Sequence, residues 1–404
     1  MTAPDKEYPC RTRSGRQVTV RFEDAEYRER LARTRARLVA EELDALLVFA
    51  QESHFYLTGF DTAGYVFFQV GVVTAADAQT VLLTRTPDKR QAEVASLYDD
   101  IRIWLNAEDA DPAAELLGIL LELGLGGGRV GVEMDSHGLT VKNWRRVEAK
   151  LAPVMTLADA SHVVRRLRLV KSPNELEMMR AAGRLADIGV MAAFDAAKPG
   201  VFDTAMAGAA ITAQLAAGAD IPSGGPLLNV GPRALFGRGI GGARRLGEQD
   251  QILVELAGSA CRYHVVVEHT AVTGATDPRQ ASQMEVAIDA LMQVKEAAKP
   301  GVPLGALDDI HRRVLDAAGF AKVRYAACGY ALGCTFKPTW MDVPPMIYSG
   351  NPLVMEPGMV FFVHIMIPDV TTGLVAGVGQ TFAIQRRGKA VETFSSLPLQ
   401  LWQL

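Results

Sequence analysis

The sequence predicts a small α/β domain followed by a larger α+β domain that contains an internal repeat with pseudo-twofold symmetry. The first half alternates helical and strand patterns, beginning with an amphipathic helix from about Asp24 to Glu42 and an apolar strand at Ala45–Phe49. The second half contains Ala-Ala-Lys-Pro-Gly-Val twice, at 196–201 and 297–302. Each copy ends one long helix and introduces another, Thr204–Ala217 or Leu304–Ala318, as expected for duplicated α–α–β units. A cleft between the two units would hold the functional site.

The domain boundary is predicted near Ala160, which gives domains of 1–160 and 161–404. The segment His162–Lys171 is rich in charge, and we expect it to be the hinge. It is followed by Ser172-Pro173-Asn174-Glu175, which offers an N-cap serine, a proline at the first helical position and a glutamate at the third. This capping box predicts that a long helix begins the second domain.

Composition excludes several classes of protein. The chain has 49% apolar and 22% charged residues, which is typical of a soluble globular protein, and its net charge of -4 offers no basic surface for nucleic acid. The N-terminus is charged and no apolar run reaches membrane-spanning length, so we expect neither a signal peptide nor a membrane span. The four cysteines lack the spacing of a zinc site or a disulfide framework. We therefore expect a cytoplasmic protein with a small-molecule substrate and no membrane or nucleic-acid partner.

Several motifs resemble those of a known superfamily. Val254–Gly258 (Val-Glu-Leu-Ala-Gly) and Gly329–Gly333 (Gly-Tyr-Ala-Leu-Gly) resemble ectoine hydrolase, and Arg184–Gly189 and the surroundings of Glu268 resemble creatinase. Tyr56–Phe60 in the first half is similar to both. The chain is thereby identified as a member of the pita-bread superfamily of creatinase, ectoine hydrolase and the proline-specific aminopeptidases. This resemblance implies a creatinase-type α/β N-terminal domain followed by a pita-bread α+β domain.

The resemblance also implies that an inherited metal site is lost. In the metal-dependent members, two aspartates, a histidine and two glutamates hold a dinuclear centre that activates water. Carried over position by position, these ligands fall on Glu255, Val266, Tyr330, His364 and Gly379. Valine and glycine offer no side-chain ligand, and tyrosine is an uncommon one. We expect a metal-independent protein without a cofactor, in a branch with creatinase and ectoine hydrolase.

The likeness to these two enzymes implies hydrolysis of a carbon–nitrogen bond in a small zwitterion. Creatinase grips a guanidinium with two glutamates, but only Glu268 is present here, and His364 takes the other position. The proton-shuttling histidine of creatinase should fall near Gly237, where the nearest polar side chains are Arg233 and Arg238. Creatine is therefore not the expected substrate, and the proton shuttle is left open.

Strand geometry selects the candidate catalytic residues. His264 and Glu268 share one face of a strand because side chains alternate, and one inherited metal position lies on the same face. This face is expected to line the cleft, and His269 to point away. In its apolar stretch, His364 would carry charge only beside a carboxylate such as Glu268. We predict His264, Glu268 and His364 as the acid–base group, with a buried structural histidine as the competing interpretation of His364.

Five further residues are predicted to bind the substrate. Glu255 follows an apolar run, so its carboxylate needs a partner such as Arg238, a histidine or the substrate's cation. Tyr330 and Trp340 would form an aromatic wall against a cation, although simple packing is the competing interpretation. Tyr65 falls near the place where creatinase positions a substrate-contacting aromatic. Because the first domain of the neighbouring subunit closes the pocket in the relatives, the resemblance implies a homodimer with a shared site.

Three other functions compete with this hydrolase. One is a lyase or cyclase on a similar small molecule. Another is a proline-specific metallopeptidase whose ligands have shifted to Glu255, His264, Glu268 and His364, a set with enough nitrogen and oxygen donors for one ion. The third is a non-catalytic pita-bread binding module, which the loss of several catalytic positions favours and the retained polar strand face disfavours.

Overall fold

The computed structural model describes residues 7–404, which form two compact units that divide after Arg168. The division therefore falls later than the predicted boundary near Ala160. The segment expected to be a hinge forms a helix, α6 (His162–Leu169), whose Val163 and Val164 belong to a buried cluster of the first unit. The sequence indicates a charged hinge because the charged residues of this segment alternate with the apolar ones. In an amphipathic helix the charged residues occupy one face and the apolar residues pack on the other.

The first unit contains an α/β sheet of six strands in the order β6-β5-β4-β3-β7-β8. β3 and β5 each pair antiparallel with β4, and the outer pairs β5–β6, β3–β7 and β7–β8 are parallel. Two further strands, β1 and β2, form a separate antiparallel hairpin. The elements are β1 (Tyr8–Arg11), β2 (Gln17–Val20), α1 (Asp24–Ala40), β3 (Ala45–Val48), α2 (Gln51–Thr58), β4 (Val70–Thr74), β5 (Val81–Arg85), α3 (Thr86–Ala95), β6 (Asp100–Trp104), α4 (Pro112–Glu122), β7 (Arg129–Val132), α5 (Val141–Leu151) and β8 (Thr156–Asp159).

The second unit, Leu169–Leu404, contains a larger, nine-stranded sheet. Its elements are α7 (Pro173–Asp195), α8 (Asp203–Ala216), β9 (Leu227–Val230), β10 (Asp250–Ala260), β11 (Tyr263–Thr273), α9 (Pro278–Ala297), α10 (Gly305–Ala317), β12 (Ala327–Ala331), β13 (Met346–Tyr348), β14 (Val360–Asp369), β15 (Leu374–Ala383), β16 (Glu392–Thr393) and β17 (Trp402–Gln403). Within residues 7–404, no helix combines the length and the apolar character that crossing a membrane requires.

The strand order of this sheet shows the predicted duplication. β15 and β11 pair at the centre, followed outward by β14 and β12 on one side and by β10 and β9 on the other. Each half supplies two helices before its strands. α7 packs on β10 and β11 as α9 packs on β14 and β15, and α8 and α10 pack on α7 and α9. The expected α–α–β repeat is therefore an α–α–β–β–β repeat about a pseudo-twofold axis between β11 and β15.

Two local features determine where α7 begins and how closely it packs on the sheet. The capping box is present: Ser172 Oγ accepts the backbone N–H of Glu175 at 3.2 Å, and the Glu175 carboxylate accepts the N–H of Ser172 at 2.9 Å. Gly258 of β10 lies so close to the helix that an added Cβ would overlap the backbone of Ala182 and Ala186. Gly258 faces α7, and side chains alternate along a strand. The odd-numbered residues of β10, including Glu255, therefore face away from α7.

Candidate active site

A cavity of about 700 Å³ opens in the second unit. Its charged and aromatic lining residues are Arg238, Glu255, Tyr325, Tyr330, Trp340 and His364. Four of the sequence-predicted substrate-binding residues and one predicted catalytic residue therefore share one cavity. Its volume is in the range of small-molecule sites.

The strand register places the acidic and basic side chains of this site in one row. Glu255 of β10 pairs with Glu268 of β11, which pairs with Gly379 of β15, which in turn pairs with His364 of β14. Directly paired residues point to the same face of a sheet. Two carboxylates from β10 and β11 and an imidazole from β14 are thus brought together across β15.

His364 and Glu268 meet across the intervening strand. Nδ1 of His364 lies 3.3 Å from Oε2 of Glu268. The residue between them is Gly379, where an added Cβ would lie 2.6 Å from the Phe362 ring and 3.0 Å from Cβ of His364. The absence of a side chain at this position leaves room for the contact.

The electrostatics of this pair favour the charged imidazole. Burial by itself lowers the pKa of His364, but the contact with Glu268 and the negative charges of Glu268 and Glu255 outweigh it, so the pKa is raised above its usual value. Glu268 is 1% exposed, and His364 is the member of the pair that lines the cavity. Among the described residues, Nε2 of His364 has no hydrogen-bond partner, so it is the nitrogen available to a ligand.

A second acid–base group lines the cavity at Glu255. Burial raises its pKa to about 7, with help from the charge of Glu268 and against the effects of His364, Tyr330 and Arg238. The hydroxyl of Tyr330 lies 3.0 Å from Oε1 of Glu255, and the indole N–H of Trp340 donates to that hydroxyl at 2.9 Å. Tyr330 and Trp340 therefore do more than form an aromatic wall, because their polar groups form hydrogen bonds that lead to the Glu255 carboxylate.

The structure does not bring His264 to the other predicted catalytic residues. His264 is fully buried, its Nε2 accepts the backbone N–H of Ser223 at 3.0 Å, and its Nδ1 lies 3.0 Å from the Thr335 hydroxyl. It shares a strand face with Glu268, as expected, but four residues of strand separate them by about 13 Å. Burial lowers the pKa of His264 to about 3, which favours the neutral ring.

His269 points away from the cavity, as expected. Its Nδ1 lies 3.4 Å from Nε1 of Trp402, and the two rings meet edge to face. Burial lowers the pKa of His269 to about 4. It therefore packs as a neutral ring on the opposite side of β11 from Glu268.

The remaining predicted residues lie on irregular segments. Arg238 follows the short 3-10 turn Gly231–Leu235 and is exposed at the cavity. Tyr65 belongs to the first unit, within the 3-10 turn Gly64–Val66.

Sequence reasoning missed Tyr325, which lines the cavity with its ring centroid 6.2 Å from that of His364. Burial and the charges of Glu268 and Glu255 raise its pKa to about 12. No motif marks this residue, because it precedes β12 in an irregular segment.

Family models match both halves of the chain. The model of metallopeptidase family M24 matches residues 177–386, just over half of the chain. The chain belongs to this M24 family. The model of the creatinase/prolidase N-terminal domain matches residues 30–170, so the M24 region follows the N-terminal domain predicted from the sequence.

Relatives of this M24 chain align along almost its whole length. A hydrolase/peptidase of Sinorhizobium fredii is 27% identical over 94% of the chain and 98% of its own length. Ectoine hydrolase of Halomonas elongata is 25% identical over 96% of the chain and 99% of its own length.

Solved structures confirm the pita-bread fold of this M24 chain. The prolidase of Thermococcus sibiricus superposes with a TM-score of 0.83 at 18% identity, over 94% of this chain and 99% of the prolidase. Dipeptidase PepE of Mycobacterium ulcerans gives a TM-score of 0.81 at 21% identity, over 95% and 99% of the two chains.

The five inherited metal positions of this M24 chain do not fit a dinuclear centre. Val266 is fully buried and offers no donor atom, and the Phe362 ring fills the space where a side chain at Gly379 would begin. The Tyr330 hydroxyl is committed to Glu255 and Trp340. Because His264 is remote, the shifted ligand set predicted for a metallopeptidase does not assemble either.

One other group of metal-ligating residue types occurs within residues 7–404. Asp308, His311 and Cys328 place ligand atoms within 4.8 Å of one another. The Asp308 carboxylate already accepts from Nδ1 of His311 at 3.0 Å, from Nε of Arg312 at 2.6 Å and from the N–H of Ser349 at 3.0 Å. An aspartate saturated by three donors and neutralised by arginine is a structural link between α10 and the segment after β13.

Proposed function

We propose that this M24 chain hydrolyses a carbon–nitrogen bond of a small zwitterionic amino-acid derivative, such as a cyclic amidine or amide, without a bound metal. The observation that carries the proposal is the contact of His364 with Glu268 on the wall of a cavity that Glu255 also lines. The site thereby offers one proton donor and one proton acceptor, which hydrolysis at a carbon–nitrogen bond requires.

The two groups divide the chemistry according to their surroundings. Glu268 stabilises the imidazolium of His364, so Nε2 of His364 donates its proton to the leaving nitrogen. Glu255, whose pKa is raised by burial to about 7, accepts a proton from water as the water oxygen attacks the carbon. The carbon–nitrogen bond then breaks, and the proton on Glu255 returns to His364 through solvent. A base with a pKa near the working pH is the most effective one. Glu268, which the sequence placed in the acid–base group, is thus a positioning residue.

The rest of the cavity suits a zwitterion. Arg238 is the exposed cation of the lining and would pair with a substrate carboxylate. Tyr325 and Trp340 add aromatic surface to the same lining. The paired acid and base on the wall favour an enzyme over the non-catalytic binding module.

The test is turnover of a small panel: cyclic amidines, guanidino acids, amides and proline dipeptides, followed by mass spectrometry. We expect one class of the first three to gain a water, at a rate that a chelator leaves unchanged, and Glu255→Gln and His364→Asn to abolish the reaction. A product without added water would identify the lyase or cyclase instead. Turnover of proline dipeptides alone, lost to chelator, would overturn the proposal in favour of a metallopeptidase.

We also propose a homodimer in which Tyr65 closes the partner's cavity, and a cytoplasmic location. The residues next to Tyr65, Val66 and Phe67, are 63% and 49% exposed, and exposed apolar side chains in succession are typical of an interface. Cys10 and Cys328 are buried free thiols, which suits a reducing compartment.

A further inference from the structure

A short chain of hydrogen bonds ends on one oxygen of Glu255. The indole Nε1 of Trp340 lies 2.9 Å from the Tyr330 hydroxyl, which lies 3.0 Å from Oε1 of Glu255. Tyr330 and Trp340 are each 5% exposed, so water has little access to this chain. The indole N–H of Trp340 and the hydroxyl of Tyr330 must therefore find their partners within these hydrogen bonds.

The direction of the chain follows from the chemistry of its first member. An indole N–H can only donate, so the Tyr330 oxygen accepts from Trp340. The hydroxyl proton of Tyr330 then has Oε1 of Glu255 as its acceptor, and among the described residues it has no other. If Glu255 donated to Tyr330 instead, the buried hydroxyl proton would be left without an acceptor, which is unfavourable.

Two further observations support this arrangement of hydrogen bonds. The Trp340 ring packs against the backbone of Gly224, where an added Cβ would lie 3.2 Å from Cε3 of the indole. Burial raises the pKa of Tyr330 well above its usual value, so its hydroxyl keeps its proton wherever Glu255 titrates. The donor to Oε1 is therefore present in both charge states of Glu255.

We propose that Trp340 and Tyr330 are positioning residues, which occupy Oε1 of Glu255 and leave Oε2 as its single basic oxygen at the cavity. This inference rests on the proposed function in making Glu255 the base of the reaction. The hydrogen-bond assignment itself does not depend on that function. In this assignment, any proton that Glu255 takes up is carried on Oε2, and the carbon–oxygen double bond of the protonated group is the one to Oε1.

Infrared spectroscopy of the full-length protein without substrate tests this hydrogen-bond assignment. At a pH where Glu255 is protonated, its carbonyl band is the one that Glu255→Gln removes. We expect Tyr330→Phe to move this band to higher wavenumber, because the carbonyl oxygen loses its donor. Trp340→Phe should move it less in the same direction, because Tyr330 still donates but is less polarised. Tyr325→Phe makes the same chemical change in the same cavity without a bond to Glu255 and should leave the band in place.

An unmoved band in folded Tyr330→Phe, or an equal shift in Tyr325→Phe, would overturn the inference. If Tyr330→Phe does not fold, a neutron structure of the unaltered protein makes the same test. Deuterium is expected between the Tyr330 oxygen and Oε1 of Glu255, and deuterium on the Glu255 side of that bond would be the contrary result.

Kinetics test the link to catalysis separately. With a substrate from the panel, Tyr330→Phe should lower kcat roughly tenfold to a hundredfold, as loss of an orienting partner does, and change KM much less. The pH at which the base is half protonated should rise, because the carboxylate loses a hydrogen bond. An unchanged pH profile would reduce Tyr330 to packing. If the unaltered protein turns over no substrate while the infrared bands shift in the expected order, the proposed function is refuted. The hydrogen-bond assignment would still hold.

Discussion

Nδ1 of His364 lies 3.3 Å from Oε2 of Glu268, although a whole strand, β15, runs between the strands that carry them. The strand between contributes Gly379 at the same level of the sheet. Neighbouring strands lie about 4.8 Å apart, so the two side chains must each reach over one strand spacing. Their contact therefore depends on the absence of a side chain at Gly379.

Gly379→Ala is predicted to damage both the site and the fold. Its Cβ would lie 2.6 Å from the Phe362 ring and 3.0 Å from Cβ of His364, so the rings must shift. We expect a loss of about 1–3 kcal/mol in the free energy of unfolding, measured with urea, and a large loss of turnover. The control is Gly208→Ala in α8, where nothing lies within 4 Å of an added Cβ. That change should be neutral or stabilising, and equal stability of the two variants would contradict the packing argument.

Glu268→Gln is predicted to slow turnover by roughly 10²-fold while the fold is kept. The substitution preserves the size of the side chain but removes the charge that holds the pKa of His364 above its usual value. Burial then dominates, so the imidazolium should be lost at lower pH and the basic limb of the pH–rate profile should move down. In the unaltered protein, the stability contributed by this pair is present at low pH and is lost as the pH rises through the raised pKa of His364.

The control for Glu268→Gln is His269→Ala on the other face of the same strand. His269 contacts Trp402 and does not line the cavity, so its removal should affect stability more than turnover. Full activity in Glu268→Gln together with inactivity in His269→Ala would show that the strand had been assigned to the wrong face.

The features predictable from sequence were those set by local periodicity. Alternation along β11 gave the correct face for Glu268 and His269, and the repeated Ala-Ala-Lys-Pro-Gly-Val motif gave the duplication. Position along a face is different, because it depends on which strands pair and in what register. His264 shares the face of Glu268 but lies beside the hairpin end, opposite Ser259. The meeting of Glu268 with His364 over Gly379 likewise required the register of three strands.

The pH dependence of stability should report His264 as a structural residue. Its pKa falls from the usual 6.5 to about 3 because the buried ring resists protonation. Its contribution to stability is therefore present above about pH 6.5 and is lost as the pH falls toward 3. Between about pH 7 and pH 5 this amounts to about 2 kcal/mol, measured as the change in unfolding free energy. His264→Gln should weaken that pH dependence and leave kcat of the folded fraction near the parental value; a kcat loss as large as that of Glu268→Gln would restore His264 to the catalytic group.

The protein should fold and turn over substrate without transition metal. Val266 and Gly379 provide no ligands, and the Tyr330 hydroxyl already serves Glu255. Elemental analysis of protein purified without chelator is expected to find less than stoichiometric metal, and chelator should change neither the melting temperature nor the rate. One or more metal ions per chain, with activity lost to chelator, would reject the proposed mechanism.

The shared-site homodimer makes a prediction that a monomer cannot meet. Tyr65→Ala removes the residue that a subunit is proposed to lend, and Glu255→Gln removes one that it keeps in its own cavity, so each variant alone should be inactive or nearly so. Unfolded and refolded together in equal amounts, half of the dimers are mixed, and each mixed dimer carries one site with both residues intact. Activity should therefore return to roughly one quarter of the parental value. Sedimentation should show a dimer before and after mixing. A monomer that keeps full ligand affinity at micromolar concentration, or a mixture no more active than its parts, would refute the shared site, because a cavity completed within one chain gains nothing from a second copy.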